Sequence, residues 1–427
     1  MYIYIVQPGD TITSIANAYG VSPERLALEN DLSEPDNLTL GEALLILQPS
    51  KTYIVQKGDT LESISLSQQT DILELLRNNP WVSDRGLYIG EELVIRYIDS
   101  RAATIEVNGF TYPFIDKEVL VKVLPYLTYL SVYAYQVTRN GSLIGIDDTE
   151  IVRLARSYGV APIMFITATP EGNSVDTEIA HILITNAEVQ KAFIDNLLLI
   201  LGNKGYYGIN IDTPYIQPLD RQPYVDFINT VTKRLNQEGY IVSITIAPST
   251  FEAATGITYE GVDYVGLSRA ANSVLYQLTY EWKAPSTLPI SVLPFDAVLN
   301  TINKAVIQLT PQKSILGFTI IGYLWEFPYF AAITAANFIN YFSAIELAND
   351  TGSVIQFNEP SQTSYFRYIK DNKEYIAWFK DIRTLRLFLS FAQNLGMQGF
   401  SVWNVMYFIT NTWLLMNSQY EIKKLAI

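Results

Sequence analysis

Cysteine is absent from the 427 residues, and histidine occurs once, as His181. Without cysteine there is no disulfide, no thiolate nucleophile and no cysteine-ligated metal, and the redox state of the compartment leaves no trace in the chain. A single histidine excludes histidine-rich zinc sites and leaves a serine triad only through His181. Positive charge is also scarce. Lys and Arg number 29 against 43 Asp and Glu, a net charge of −14 that repels polyphosphate and argues against nucleic-acid partners. No uncharged apolar stretch reaches the ~20 residues of a membrane-spanning helix, so membrane insertion is not expected. The apolar start Met1–Val6 lacks the basic leader and the length of a secretion signal. Chemistry in this chain therefore rests on carboxylates and tyrosines.

What the chain has in quantity is apolar bulk. Hydrophobic residues make up 49% and aromatic ones 13%, enough to bury a large core and to rule out disorder as the global state. At 427 residues and 48.2 kDa it suits one large domain with small appendages.

The appendages show themselves as an internal repeat. Tyr4-Ile5-Val6-Gln7 and Gly9-Asp10-Thr11 recur as Tyr53-Ile54-Val55-Gln56 and Gly58-Asp59-Thr60, at a constant offset of 49 residues. Leu26 and Asn30 recur as Leu75 and Asn79, and Gly41-Glu42 with Leu44 and Ile46 recurs as Gly90-Glu91 with Leu93 and Ile95. Each copy, 1–49 and 50–98, reads as a βααβ unit in which glycine permits a tight turn and Asp10 or Thr11 caps the first helix. The pattern resembles the lysin motif (LysM). That resemblance implies recognition of N-acetylglucosamine chains of peptidoglycan or chitin, in a groove between the Gly-Asp-Thr loop and the loop before the last strand. The matching positions are Gly9, Asp10, Thr11, Asn30, Asp31 and Leu32, then Gly58, Asp59, Thr60, Asn79, Pro80 and Trp81.

Residues 99–427 alternate short apolar strands with amphipathic stretches. Strands are expected at 104–112, 127–137, 161–167, 206–212, 240–247, 273–281, 314–322 and 399–403. Helices are expected at 147–157, 186–201, 223–236, 294–309 and 382–395. Eight strands alternating with helices point to an α/β fold, a (β/α)8 TIM barrel, in which reacting groups sit at the C-terminal ends of the strands. Strand-like runs at 353–358, 365–369 and 374–379 mark a small α+β insertion at about 337–381.

Several segments then resemble family 18 glycoside hydrolases: Asn108–Phe114, Tyr206–Asp212, Leu278–Trp282, Gly322–Trp325 and Gly399–Trp403. The nearest likeness is to the branch with two N-terminal LysM modules on bacterial endospores, the cortex-fragment N-acetylglucosaminidases of germination. The family hydrolyses glycosidic bonds with the substrate's acetamido group as nucleophile and one glutamic acid as acid and base. Its signature at the end of strand four is Asp-Gly-x-Asp-x-Asp-x-Glu. Here the first Asp is Tyr207, the second Asn210, the third survives as Asp212, and the glutamic acid is Pro214. Proline has no ionisable group, so the proton donor of the family is missing. The resemblance also makes Trp403 the floor of a sugar subsite and Tyr280 and Glu281 holders of the acetamido group. Asp212 would orient that group, and Tyr323 would join them. Glu281, Glu326 and Asp220 are not placed by the family pattern to replace the acid, and Asp220 is expected in solvent.

The expected protein thus binds peptidoglycan or chitin-type glycans in the spore envelope, coat or cortex, with an impaired barrel. Alternatives are an active N-acetylglucosaminidase on cortex fragments, or a scaffold contacting spore coat or cortex proteins. The resemblance places synthesis in the mother-cell cytoplasm without a signal peptide. No metal and no organic cofactor are expected.

Overall fold

A computed structural model describes residues 1–98, 101, 103–168, 177–212, 218–246, 263–276, 310–330 and 336–427. Its largest sheet contains eight parallel strands: β1 (Ala103–Thr111), β2 (Tyr129–Val137), β3 (Ala161–Thr167), β4 (Gly208–Asp212), β5 (Ile241–Ile246), β6 (Ser273–Tyr276), β7 (Ser314–Thr319) and β8 (Gly399–Trp403). Each pairs with the next, and β1 pairs with both β2 and β8, which closes the sheet into a (β/α)8 TIM barrel. Phe110, Phe165, Leu275, Ile315 and Trp403 come from five strands yet touch one another, so they fill the barrel interior. Their strand neighbours such as Val107, Met164, Val274 and Leu316 face the other way and join the large core under the helices.

The helices begin and end where the sequence supplies caps. Ala187–Lys204 starts where Asn186 accepts from the backbone N–H groups of Glu188 and Val189, and it stops at Gly205, whose φ of +76° favours glycine. Thr149–Ser157, Arg221–Asn236 and Ile382–Asn394 stand within a few residues of expectation. The helix expected at 294–309 and the end of the sixth strand, 277–281, lie outside the described residues.

The insertion is larger than expected. β7 stops at Thr319, and Gly322–Phe327, expected to continue it, turns away into a five-stranded antiparallel sheet. Its order is Asn337–Ile339, Gly322–Phe327, Lys373–Phe379, Thr363–Lys370, Gln356–Asn358. The inserted sheet therefore starts at Gly322 rather than at 337. A Cβ on Gly322 would stand 2.5 Å from the Trp378 carbonyl, so only glycine admits this close approach.

The two N-terminal units are βααβ, with Tyr2–Ile5, Ile12–Tyr19, Pro23–Glu29 and Ala43–Ile46 in the first. The second has Pro49–Ile54, Leu61–Gln68, Ile72–Asn78 and Glu92–Tyr97, plus the short helix Val82–Arg85. Thr11 and Thr60, not the neighbouring aspartates, cap the first helices, each in a reciprocal capping box with a serine three residues on.

The first unit buries both faces of its closing strand, and the second does so over Leu93–Ile95, with Glu92 and Arg96 exposed. Leu44 and Ile46 pack into the unit's own core with Val6, Ile15 and Leu26, whereas Ala43, Leu45 and Leu47 belong to the core of the barrel. In the second unit Leu93 and Ile95 face inward, and Val94 and Tyr97 face the barrel core. Polar contacts fasten the same seam. Asp31 accepts from the Thr410 backbone N–H (2.7 Å) and hydroxyl (2.5 Å), capping the barrel helix Thr410–Gln419 from another unit. Ile355 N–H donates to the Leu40 carbonyl (2.9 Å), Asn417 donates to Asn78 (2.9 Å), and Tyr126 donates to the Arg77 carbonyl (2.5 Å). Between the units, the Tyr97 hydroxyl donates to Glu29 (2.8 Å).

Leu45 is fully buried at this seam, so Leu45→Ala should cost about 2–5 kcal/mol. In urea, monitored by tryptophan fluorescence and circular dichroism together, the loss should lower the midpoint of one shared transition. A separate early transition confined to the N-terminal units would show that they unfold independently.

Candidate functional site

Beside its aromatic filling, the barrel interior holds paired polar side chains. Asn210 on β4 donates from Nδ2 to Ser243 Oγ (3.0 Å) and accepts at Oδ1 from Thr245 Oγ1 (2.8 Å). Ser243 passes its proton on to the Ile209 carbonyl (3.0 Å). Across the barrel, Asn108 donates to Ser401 Oγ (3.0 Å) and accepts from Ser131 Oγ (2.8 Å). All of these side chains are buried. An amide offers a donor and an acceptor at once, which is what the Ser243 and Thr245 pair requires; an ionised aspartate would bring acceptors only.

Asp212 ends β4, two residues beyond Asn210 on the same face of the strand. It keeps part of its surface open, yet lies deep enough that loss of hydration pushes its carboxyl up to about 7. A carboxyl with this value is divided between acid and base near neutral pH.

Trp403 ends β8 and is buried among aromatic rings. Phe110 lies 4.9 Å away between centroids, Tyr133 5.5 Å and Tyr112 6.3 Å. Tyr112 in turn stacks on Phe114 at 5.3 Å with planes 19° apart, and Phe114 is largely exposed. A path of ring faces thus runs from the barrel interior to the surface, a surface suited to the apolar faces of sugars. Tyr112, Phe114 and Tyr133 were not singled out from the sequence. The signal was present, since Phe110, Tyr112 and Phe114 repeat at spacing two just beyond Asn108.

Other expected site residues lie elsewhere. Tyr207 precedes β4 and sits at the N-terminal end of the barrel beside Tyr129, 6.5 Å between centroids, away from the Asp212 end. Its odd spacing from Asn210 sends it to the other side of the chain. Tyr323 is buried in the inserted sheet with Trp325, Ile376 and Trp378, not in the barrel interior. Glu326 accepts from Lys373 Nζ (2.6 Å), and this hydrogen bond holds its carboxyl below the usual range. Asp220, expected in solvent, is buried and bonded to His181 Nδ1 (2.8 Å). Pro214, Tyr280 and Glu281 lie outside the described residues.

In the repeats, Gly9 and Gly58 have φ of +88° and +92° with open space around them, so they serve the turn. Asp10 accepts from the Tyr4 hydroxyl and the Gln7 N–H, and Asp59 from Tyr53 and Gln56, so both fix the loop. Thr11 and Thr60 are exposed helix caps. Asn30 and Asn79, expected to face a groove, are instead buried staples. Each amide donates to one carbonyl on its helix and one on the closing strand, and accepts a strand N–H: Leu26, Leu45 and Leu45 for Asn30, Leu75, Val94 and Val94 for Asn79. Asp31 faces the barrel rather than open solvent, and Leu32 packs against its module core. Pro80 and Trp81 are buried, with Trp81 Nε1 donating to Glu91 (2.9 Å).

A carboxyl raised from 3.8 to about 7 favours the folded state fully below pH ~4, and that contribution is lost as the pH rises through 7. Asp212→Asn removes the dependence. Thermal melts should therefore show the variant gaining on the parent at pH 8 more than at pH 5; equal differences at both would contradict the buried-acid environment.

The glycosyl hydrolases family 18 model matches residues 172–407, and the LysM domain model matches residues 4–46 and 53–96. The cortical fragment-lytic enzyme of Bacillus subtilis is 29% identical over 431 residues, spanning 99% of both chains. That of Bacillus anthracis is 27% identical over 430 residues, 99% of each. The solved structure of the Bacillus cereus spore cortex-lytic enzyme SleL superposes with a TM-score of 0.81 at 26% identity, covering 99% of this chain and 98% of the other. With the closed barrel matched by the one model over more than half of the chain and the paired N-terminal repeats by the other, the chain belongs to glycosyl hydrolases family 18 and carries two LysM domains ahead of its barrel.

Proposed function

We propose that the protein binds peptidoglycan-type N-acetylglucosamine glycans in the spore envelope through its LysM modules and barrel mouth, and that the barrel hydrolyses them poorly or not at all. What supports this is Pro214, which the resemblance of Tyr207–Pro214 to the family signature aligns with the acid and base glutamate. A general acid contributes roughly 10²–10⁴ in rate, and here the same group would serve both half-reactions. Neither Glu326 nor Asp220 is a ready replacement: Glu326 is held by Lys373, and Asp220 is committed to His181. Sugar-holding surface remains in Trp403, Tyr112 and Phe114. The spore setting rests on the relatives, which are cortical fragment-lytic and spore cortex-lytic enzymes.

One observation favours a second reading, an active N-acetylglucosaminidase on cortex fragments. Asp212 with a carboxyl near 7 holds a proton part of the time at neutral pH and stands at the functional end of β4. The full chain incubated with N-acetylglucosamine tetramer and with spore cortex fragments, followed by mass spectrometry, separates the two. Intact oligomers after long incubation are expected. Cleavage would overturn the impaired reading, and its loss in Asp212→Asn would show that it depends on the Asp212 carboxyl.

A further inference from the structure

The two LysM modules carry the same turn ahead of the closing strand, Gly41-Glu42 in the first and Gly90-Glu91 in the second, and the fold gives the two copies opposite surroundings. Gly90 has open space around it, and Glu91 accepts from Arg85, Trp81 Nε1 and the Tyr88 N–H within its own module. Gly41 is pressed onto the insertion: a Cβ there would stand 1.9 Å from the Ile355 carbonyl oxygen, beside the Leu40–Ile355 backbone bond. Glu42 is consequently only 3% exposed. It faces charge of its own sign, because Asp381, at the start of the helix Ile382–Asn394, lies close enough to repel it. Tyr341, on the helix Tyr341–Asp350, is flanked by Glu42, Asp381 and Asp31. The Arg383 guanidinium is turned to Asp381 (2.6 Å) and Ser364 (2.9 Å) over the ring of Phe357, and Lys122 is paired with Asp84 at 2.6 Å.

We propose that the seam between the first LysM module and the inserted sheet is a proton-operated latch, closed while Glu42 holds a proton and loosened when Glu42 ionises opposite Asp381. A neutral Glu42 carboxyl fits between Tyr341 and Asp381, whereas an ionised one needs water, which reaches it only if the Gly41–Glu42 turn lifts from Ile355. Burial, and after it the charge of Asp381, push the Glu42 carboxyl from 4.5 up to about 8, against the smaller pull of the Thr39 N–H and the Tyr341 hydroxyl. The contribution of this carboxyl to docking is therefore fully present below pH 4.5 and lost as the pH rises through about 8. Within that span each pH unit multiplies the ratio of open to closed seam by ~10. Asp31, pushed up to about 6 by burial, acts in the same sense at lower pH. Lys424, pushed down to about 6 by burial and by Arg77 of the second module, acts in the opposite sense. Comparison with a Glu42 variant subtracts both. At the matching turn of the second module, Glu91 is already paired with Arg85, so the latch belongs to the first module.

Because the chain lacks cysteine, a single introduced thiol reports on its own position. Ala43→Cys places one next to Glu42 in the core shared with the barrel, and Val94→Cys places one in the same core from the second module. The rate at which a thiol reagent labels Ala43→Cys in the full chain, divided by that for free cysteine at each pH, should rise at least tenfold from pH 6 to pH 9. Glu42→Gln, neutral at every pH and of the same shape, should abolish that rise, and Val94→Cys should rise much less. An equal rise with and without Glu42→Gln would overturn the latch. A rise at Val94→Cys matching that at Ala43→Cys would overturn it too, since the whole molecule would then be opening. Thermal melts of the cysteine-free chain read the same carboxyl without a probe. Glu42→Gln should gain on the parent in Tm as the pH rises from 6 to 9, and a gap that stays constant would overturn the proposal even if the Ala43→Cys chain fails to fold.

Discussion

The closing strand of each LysM module packs into two cores at once, and the architecture follows from that constraint. Leu44 and Ile46 complete the small core of the first module, while Ala43, Leu45 and Leu47 are core residues of the barrel. The same division separates Leu93 and Ile95 from Val94 and Tyr97. A strand of this kind is stable only with partners on both sides, as in the buried strands of α/β proteins. A small βααβ unit has little apolar surface to bury by itself, and sharing a core with a much larger domain supplies what it lacks. The polar contacts along the seam give direction to this burial. Asp31 capping Thr410–Gln419 and the Leu40–Ile355 backbone bond allow one docking geometry, since sliding the module would strand buried donors and acceptors.

Inside the barrel the governing fact is the match between each polar side chain and its partner. Asn210 sits where an amide satisfies Ser243 and Thr245, and Asn108 does the same for Ser401 and Ser131. An amide at position 210 is therefore matched to its surroundings. Asn210 brings no negative charge beside Asp212, and loss of hydration is what raises the Asp212 carboxyl.

Much of the fold was legible because two periodicities were clean. Ala161–Thr167 and Gly399–Trp403 are strands with the expected bounds, and the offset of 49 residues located both LysM modules. The insertion boundary was not legible, because Gly322–Phe327 follows β7 almost at once with the same apolar character, and only its pairing with Lys373–Phe379 shows that it has left the barrel. Asn30 and Asn79 illustrate a different difficulty. Identity between two copies reports whatever both copies need, and here both need an amide to tie helix to strand. Tyr207 belongs to the same signature as Asn210 but not to its face, since three residues along a strand reverse the side. The His181–Asp220 bond joins residues 39 apart, one inside the helix Thr177–Thr185 and the other at the start of Arg221–Asn236, a pairing no local pattern encodes. The apolar run Ala43–Leu47, with no polar alternation, was in retrospect the mark of a two-sided strand.

The fused seam also sets how the molecule meets an extended polymer. Modules on flexible tethers raise one another's local concentration over a range of spacings, and the gain declines smoothly with tether length. Here the tether length is effectively zero. The LysM loops and the barrel mouth stand at one fixed separation and angle, so a glycan strand engages both when its course matches that geometry and only one when it does not. On the glycan-binding reading proposed above, such a molecule would respond to the spacing of strands in a layer as well as to the sugar itself.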